Sequence, residues 1–181
     1  YGCQRPPYAQ WTVTGAACSV LSNQGEGVKI TSATFGQVVD FGVNDLNNMG
    51  AAMAPAALNS LLTLLNDTGT EPKDYDLILT GDLGKLGSDI LRDLMEEQGY
   101  RLGQNYSDCG AMIYDVKQKC YQGGSGAGCS SAIVNSFVID RMLEGQYKKV
   151  AYLATGALMS PQSCYQGETI PGISHAVVLE V

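Results

Sequence analysis

Short runs of apolar and β-branched residues along the chain predict the strands of a sheet. Residues 28–34 alternate apolar with polar or small side chains, as expected for a half-buried strand. Residues 76–80 form a continuous apolar run, typical of a strand buried on both faces of a parallel sheet. Residues 150–155 and 176–181 predict two more strands. Residues 12–21 are rich in β-branched and small apolar types and predict a strand that precedes the first full unit.

Segments of helical periodicity lie between these strands. In residues 51–67 four leucines recur at the spacing of one helical face, and Gly69 supplies the stop. Ser88 can cap a second helix that ends at Gly99. Residues 130–144 predict a third helix whose first turns are apolar on nearly all sides, a pattern typical of a helix buried all round.

The order of these elements predicts an α/β fold. Helices that cross between consecutive strands imply a mostly parallel sheet, and the final two strands, which have no helix between them, are expected to be antiparallel. Residues 111–114 predict a small extra strand. Because no helix follows residues 12–21 before the next strand, we interpret that strand as part of a unit upstream.

Composition excludes several classes of protein. The chain has 181 residues and a formal net charge of −7, so one compact domain is expected and nucleic acid is not an expected partner. The longest apolar run, residues 132–139, is too short to span a membrane. The chain begins at Tyr1 and shows no secretory signal, which favours a piece of a longer protein. Only 16% of residues are charged and 22 are glycine, which suits many tight turns or a large surface covered by a partner.

The cysteine pattern does not indicate a metal site. The six cysteines include no C-x-x-C pair, and one histidine cannot complete a Cys/His cluster. In a core-rich chain of this length disulfides are not needed, which favours a reducing compartment. We therefore expect neither a bound metal nor a cofactor.

The glycine-rich segment at residues 123–128 precedes the third predicted helix. Glycines let the backbone approach a ligand, and the N–H groups of a helix start attract anions. The segment matches neither the dinucleotide fingerprint nor the phosphate loop, so nucleotide binding is not indicated. An equally weighted interpretation is that the glycines allow the helix to pack tightly against the sheet.

Other polar candidates are isolated. Thr80-Gly81 and Thr155-Gly156 both follow buried strands, at the sheet edge where α/β proteins bind ligands, although both glycines can simply make the turn. Asp82 follows one of these strands and could bind a cation or close the turn. His175 is more often structural than catalytic in such a context. Cys129 lies near a helix start, yet a buried free cysteine is the favoured interpretation.

Taken together, a series of motifs resembles the stage V sporulation protein AD family, a member of the thiolase-like superfamily. They occur in the family's order from end to end of the chain: YG (1–2), TVTG (12–15), KITSAT (29–34), MGAAMAPAA (49–57), DYDLILTGDL (74–83), DCG (108–110), GGSG (123–126), ATGAL (154–158) and IPGISH (170–175). The resemblance implies a thiolase-like half with a mixed five-stranded sheet and helices on both faces. It assigns residues 1–22 to the last strand of a missing N-terminal half and residues 23–181 to the C-terminal thiolase-like domain.

The resemblance also implies a function without catalysis. Condensing enzymes of the superfamily place a histidine where this chain has Gly81-Asp82 and an asparagine where it has Gly124-Ser125, so acyl transfer is not expected. The family is understood to bind dipicolinic acid, a small rigid dianion, as a peripheral component of the spore's membrane transport machinery. The implied location is intracellular, in the forespore, at the spore inner membrane.

On this interpretation Gly124, Ser125 and Gly126 supply amide or hydroxyl donors and His175 is a further donor. Asp82 would repel a free dianion but would meet calcium if the calcium chelate binds. The implied partners are dipicolinic acid, free or chelated, and membrane channel subunits. The alternatives are a thiolase-type acyltransferase acting on coenzyme A thioesters and a purely structural docking subunit. We also expect self-association through the face that the missing half would cover.

Overall fold

The structure is a computed structural model that describes residues 6–181. The YG motif and the first residues of the predicted 1–22 segment lie outside the described residues. The strands are β1 (Trp11–Thr12), β2 (Lys29–Thr34), β3 (Leu77–Thr80), β4 (Tyr106–Asp108), β5 (Gly124–Ser125), β6 (Lys149–Ala157) and β7 (Gly172–Glu180). The helices are α1 (Met49–Thr68), α2 (Gly84–Glu97), α3 (Cys109–Met112), α4 (Ala127–Ile133), α5 (Ile139–Leu143) and α6 (Pro161–Tyr165). A π-helical turn, Val134–Val138, joins α4 to α5.

Five strands form a mixed sheet in the order β2-β7-β6-β3-β4. β3 pairs parallel with both β4 and β6, whereas β7 runs antiparallel to β2 and β6. The predicted α/β class and the antiparallel final pair are confirmed. The carboxyl ends of β3 and β6 therefore meet at one edge of the sheet, because Thr80 pairs with Leu153 in a parallel register.

Helices cover both faces of this sheet. Side chains alternate along a strand, so Ile78 packs with Leu61 of α1 and Leu91 of α2, whereas Leu79 packs on the opposite face with Val138 and Met142. Burial of both faces explains why β3 is a continuous apolar run. The prediction of helices on both faces is confirmed.

The start of α2 differs from the prediction, which was wrong about Ser88. The helix begins at Gly84, and Ser88 lies buried inside it. The carboxylate of Asp108 caps the helix instead, accepting the N–H groups of Leu83 at 2.9 Å and Gly84 at 2.9 Å. A cap from a distant strand satisfies the same unpaired N–H groups as a local serine, and no local pattern shows it.

The predicted strand at residues 111–114 is also wrong. That region begins with the short helix α3, and the edge strand is β4, just before it. Asp108 also caps this short helix, because its Oδ1 accepts the Ala111 N–H at 2.9 Å. This cap favours a helix where the pattern predicted a strand. Asp108 is the last residue of β4, and its carboxylate accepts N–H groups at the starts of both α2 and α3.

The N-terminal strand is shorter than predicted. Only β1 is a strand, paired parallel with the two residues of β5, and residues 14–22 are exposed and not in a strand. Apolar composition alone does not extend a strand beyond the length of its partner.

The third helix is longer than predicted and is not buried all round. It begins at Ala127, and Cys129, Val138 and Met142 face the sheet. Phe137 and Val134 on the same helix are only partly buried. An apolar helix surface therefore remains accessible in the described part of the chain.

Candidate functional site

A cavity of about 440 Å³ opens at the carboxyl edge of β3 and β6. Its polar lining comes from Asp82, Ser125, Ser130 and Thr155, and Met53 of α1 forms part of the apolar wall. Ligands of open α/β sheets bind at this edge, so the position fits a binding site.

The turn after β3 is held against the end of β6 by two hydrogen bonds. The hydroxyl of Thr155 donates to Asp82 Oδ1 at 2.9 Å and accepts the Asp82 backbone N–H at 3.0 Å. A Cβ at Gly81 would lie 2.6 Å from Thr155 Oγ1, so a glycine is needed for this approach. Gly81 thus has a packing reason, whereas Gly156 lies within β6, where a Cβ would meet only ordinary contacts. Thr155 is a site residue that the sequence signalled without assigning.

The glycine-rich turn forms the opposite wall. Gly126 adopts a φ of 100°, which favours glycine, and its N–H donates to Asp82 Oδ2 at 3.0 Å. Gly124 lies behind the wall, where its carbonyl accepts from Gln10 Nε2 at 2.8 Å. Ser125 lines the cavity between them. The structure therefore brings together four of the predicted residues, with Asp82 at the centre.

Asp82 dominates the electrostatics of the cavity. Burial raises the pKa of its carboxyl group above the usual value, and the hydrogen bonds from Gly126 and Thr155 oppose that rise. The Gly126 N–H predicted to bind an external anion is already bonded to this carboxylate. A ligand carboxylate at that position must share or replace the contact.

The cysteines near the cavity are buried thiols. Cys129 Sγ lies 3.9 Å from the Gly81 carbonyl oxygen, and burial raises the pKa of Cys129 to about 12. Burial also raises the pKa of Cys109 far above the usual range. Both groups are therefore protonated at neutral pH and are poor nucleophiles in this arrangement.

His175 is placed apart from the other predicted residues. Its side chain is exposed on β7, and Nδ1 accepts the Gly36 N–H at 3.0 Å. It is absent from the residues that line the cavity. That bond gives His175 a structural role at the start of the loop after β2.

Gln10 is a residue of the site that sequence reasoning missed. Its side-chain amide donates to the carbonyl oxygens of Asp82 and Gly124, each at 2.8 Å. A lone glutamine outside any motif carries no signal in the sequence. The contact depends on long-range folding.

Two further features bear on ligands and location. Among residues 6–181, no three or more His, Cys, Asp or Glu side chains form a group that could hold a metal ion. In the same part of the chain, every helix is too short or too polar to cross a membrane.

Comparison with known proteins identifies the family. The family model for stage V sporulation protein AD (SpoVAD) matches residues 1–180. The chain belongs to the stage V sporulation protein AD family. It is 45% identical, over 180 residues, to the stage V sporulation protein AD of Bacillus subtilis (strain 168). The match covers 99% of this chain and 53% of that relative, so the chain spans about half the relative's length.

Family membership confirms the resemblance found in the motifs. A sporulation protein belongs to a spore-forming cell, which agrees with the expected setting in its coarse form. The remaining details of location and partners are treated below.

Solved structures with a similar chain path are condensing enzymes and a thiolase. The tetronic acid condensing enzyme AbyA1 gives a TM-score of 0.49 at 12% identity, covering 85% of this chain and 48% of that one. The 3-oxoacyl-[acyl-carrier-protein] synthase III of Aquifex aeolicus VF5 gives a TM-score of 0.45 at 13% identity, covering 88% of this chain and 47% of that one. The Acat5 thiolase of Ascaris suum, in complex with coenzyme A, gives a TM-score of 0.42 at 13% identity, covering 86% of this chain and 31% of that one.

Proposed function

We propose that this chain forms the ligand-binding part of a noncatalytic sporulation protein that takes dipicolinic acid into the developing spore. The single observation that carries the proposal is the composition of the cavity wall. Asp82 and Ser125 stand at the positions where the family resemblance places the histidine and asparagine of acyl transfer, and both line the cavity. A site with this lining offers contacts to a ligand but no imidazole base.

The cavity suits a small rigid dicarboxylate in size and donors. Its volume of about 440 Å³ lies within the usual range for small-molecule sites. Ser125 offers a hydroxyl, and Ser130 accepts from the Tyr152 hydroxyl at 2.8 Å, which leaves its own proton for a ligand. His175 remains a proposed further donor only if the ligand reaches beyond the cavity.

The charge of Asp82 bears on the form of the ligand. A free dianion would be repelled by the ionised carboxyl group, whereas the calcium of a chelate would be attracted, because calcium takes oxygen ligands. The proposal therefore includes dipicolinic acid either free or as its calcium chelate. The proposed partners are channel subunits of the spore inner membrane, with this protein at the membrane periphery in the forespore.

Calorimetric titration of the full-length protein with dipicolinate, with and without calcium, tests the proposal. Ser125→Ala should weaken binding about tenfold, the effect of losing one hydrogen bond to a charged group. Ser136→Ala is the matched control, because that hydroxyl is exposed and donates to Ala132 within its own helix. Full affinity in both Ser125→Ala and Asp82→Ala would overturn the site, and His175→Ala in the same titration tests that donor.

The two alternatives predict different results. Turnover of coenzyme A thioesters by the full-length protein would support an acyltransferase, which would have to work without a histidine in the cavity lining described here. Channel-subunit binding that no cavity substitution alters, together with absent dipicolinate binding, would support a structural docking subunit.

A further inference from the structure

The N-terminal segment around β1 lies directly behind the cavity wall. The Trp11 N–H donates to the Gly123 carbonyl at 2.9 Å, and the Val13 N–H donates to the Ser125 carbonyl at 2.8 Å. These bonds hold the glycine-rich turn, and neither Trp11 nor Val13 is among the residues that line the cavity. The position of Ser125 therefore depends on a segment more than a hundred residues away in sequence.

Gln10 joins this segment to both walls at once. Its Nε2 donates to the carbonyl oxygens of Asp82 and Gly124, at 2.8 Å each. An amide nitrogen has two N–H groups, so both bonds form together. We propose that Gln10 is a positioning residue of the cavity, which fixes the spacing of Asp82 from the glycine-rich turn and couples ligand binding to docking of the N-terminal segment.

Close packing leaves little slack between these parts. A Cβ at Gly84 would lie 2.8 Å from Gln10 Nε2, and a Cβ at Gly124 would lie 2.6 Å from Val13 Cγ2. The side chains of Gln10 and Val13 therefore pack closely against the backbone at Gly84 and Gly124, respectively. A shift of the segment must move the turn that carries the Gly126 N–H, and with it the bond to Asp82 Oδ2 at 3.0 Å.

The coupling works in both directions. This step rests on the proposed function, namely that dipicolinate binds between Asp82 and the turn. A ligand that favours the docked arrangement of the walls must favour the docked segment by the same factor, since coupling free energies are reciprocal. Ligand binding in the cavity would therefore increase the docked fraction of the N-terminal segment.

The first test compares Gln10→Met with Gln24→Met in the full-length protein. Methionine keeps the size of glutamine but removes both donors, and Gln24 is exposed, so it serves as the matched control. In the absence of ligand, the pKa of Asp82, followed by carboxyl carbon NMR, should rise in Gln10→Met, because the Gly126 bond that lowers it is loosened. An unchanged Asp82 pKa in folded Gln10→Met would overturn the proposal.

Titration with dipicolinate, with and without calcium, provides the second arm. Gln10→Met should weaken binding about tenfold or more, as expected when hydrogen bonds that preorganise a site are lost. Gln24→Met should bind like the wild type. Equal affinity of the two variants would contradict the positioning role.

Hydrogen exchange of the wild-type protein tests the coupling without any substitution. The amides of Trp11 and Val13 should exchange more slowly when the cavity is saturated with dipicolinate, and unchanged exchange would contradict the coupling. If dipicolinate does not bind the wild-type protein, the proposed function fails, while the Asp82 pKa comparison still decides the role of Gln10.

Discussion

Replacing Thr155 by valine tests whether the contact between the two strand ends holds the cavity together. Valine has nearly the same shape but lacks the hydroxyl that bonds Asp82 twice. Leaving the Asp82 backbone N–H without its acceptor costs about 1–3 kcal/mol, and losing a hydrogen bond to the carboxylate costs about 1.5–3 kcal/mol. Because Asp82 is only partly buried, water can hydrogen-bond to some of the groups that lose the Thr155 hydroxyl. We therefore expect a net fall of about 2–3 kcal/mol in the free energy of unfolding.

The assay is urea unfolding of the full-length protein, read as a change in midpoint at constant slope. Thr155→Ser keeps the hydroxyl and loses one methyl group, so it should cost only about 1 kcal/mol. Thr63→Val is the matched control, because the Thr63 hydroxyl bonds only the Asn59 carbonyl within α1. Thr155→Val no less stable than Thr155→Ser would refute the reasoning.

The same substitution should change the acidity of the cavity. The Thr155 bond lowers the pKa of Asp82 against the rise caused by burial, so its removal should raise that pKa further. Carboxyl carbon NMR of the folded variant measures the change. A fall in the pKa would show that the hydroxyl does not donate to the carboxylate.

Three further predictions concern the scaffold. Burial raises the pKa of Asp108 to about 6 from 3.8, so this carboxyl group should add on the order of 1–3 kcal/mol to the free energy of unfolding as pH falls from 7 towards 4. In pH-dependent urea melts, this contribution is the difference between the wild type and Asp108→Asn. Gly87→Ala should destabilise by about 1–3 kcal/mol, because its Cβ would lie 2.8 Å from Gly50 Cα, whereas Asp89→Ala on the exposed side of α2 should not destabilise. A fragment limited to this chain should self-associate through the apolar surface around Phe137, and a clean monomer by light scattering at high concentration would count against it.

Local patterns were sufficient for the regular elements. The leucine spacing of α1 and the stop at Gly69 act within one helix, and Gly69 indeed has a φ of 63° with its N–H bonded to Leu65 and Asn66 carbonyls. The continuous apolar run of β3 follows directly from burial on both faces. These features are readable because neighbours in sequence are also neighbours in space.

The cavity depends on contacts between distant residues, which local patterns do not contain. The sequence placed Asp82 at the right sheet edge, but its partners Thr155 and Gly126 are 73 and 44 residues away. Ser88 is not a cap, because α2 begins four residues earlier, at Gly84, whose N–H is bonded to the carboxylate of Asp108. The family resemblance implied His175 as a further donor, but its side chain is exposed on β7, its Nδ1 accepts the Gly36 N–H, and it is not among the residues that line the cavity.

The chemistry of Asp82 limits what this cavity can do. Burial raises the pKa of the Asp82 carboxyl group, although the Gly126 and Thr155 hydrogen bonds oppose that rise, and burial raises the pKa of the neighbouring Cys129 thiol to about 12. A thiol with so high a pKa stays protonated at neutral pH and is a poor nucleophile. The same carboxylate is well suited to contact a cation or to share its donors with a ligand acid. The proposed role of the cavity is therefore binding, and the proposal predicts that the charge of Asp82 affects whether free dipicolinate or its calcium chelate binds.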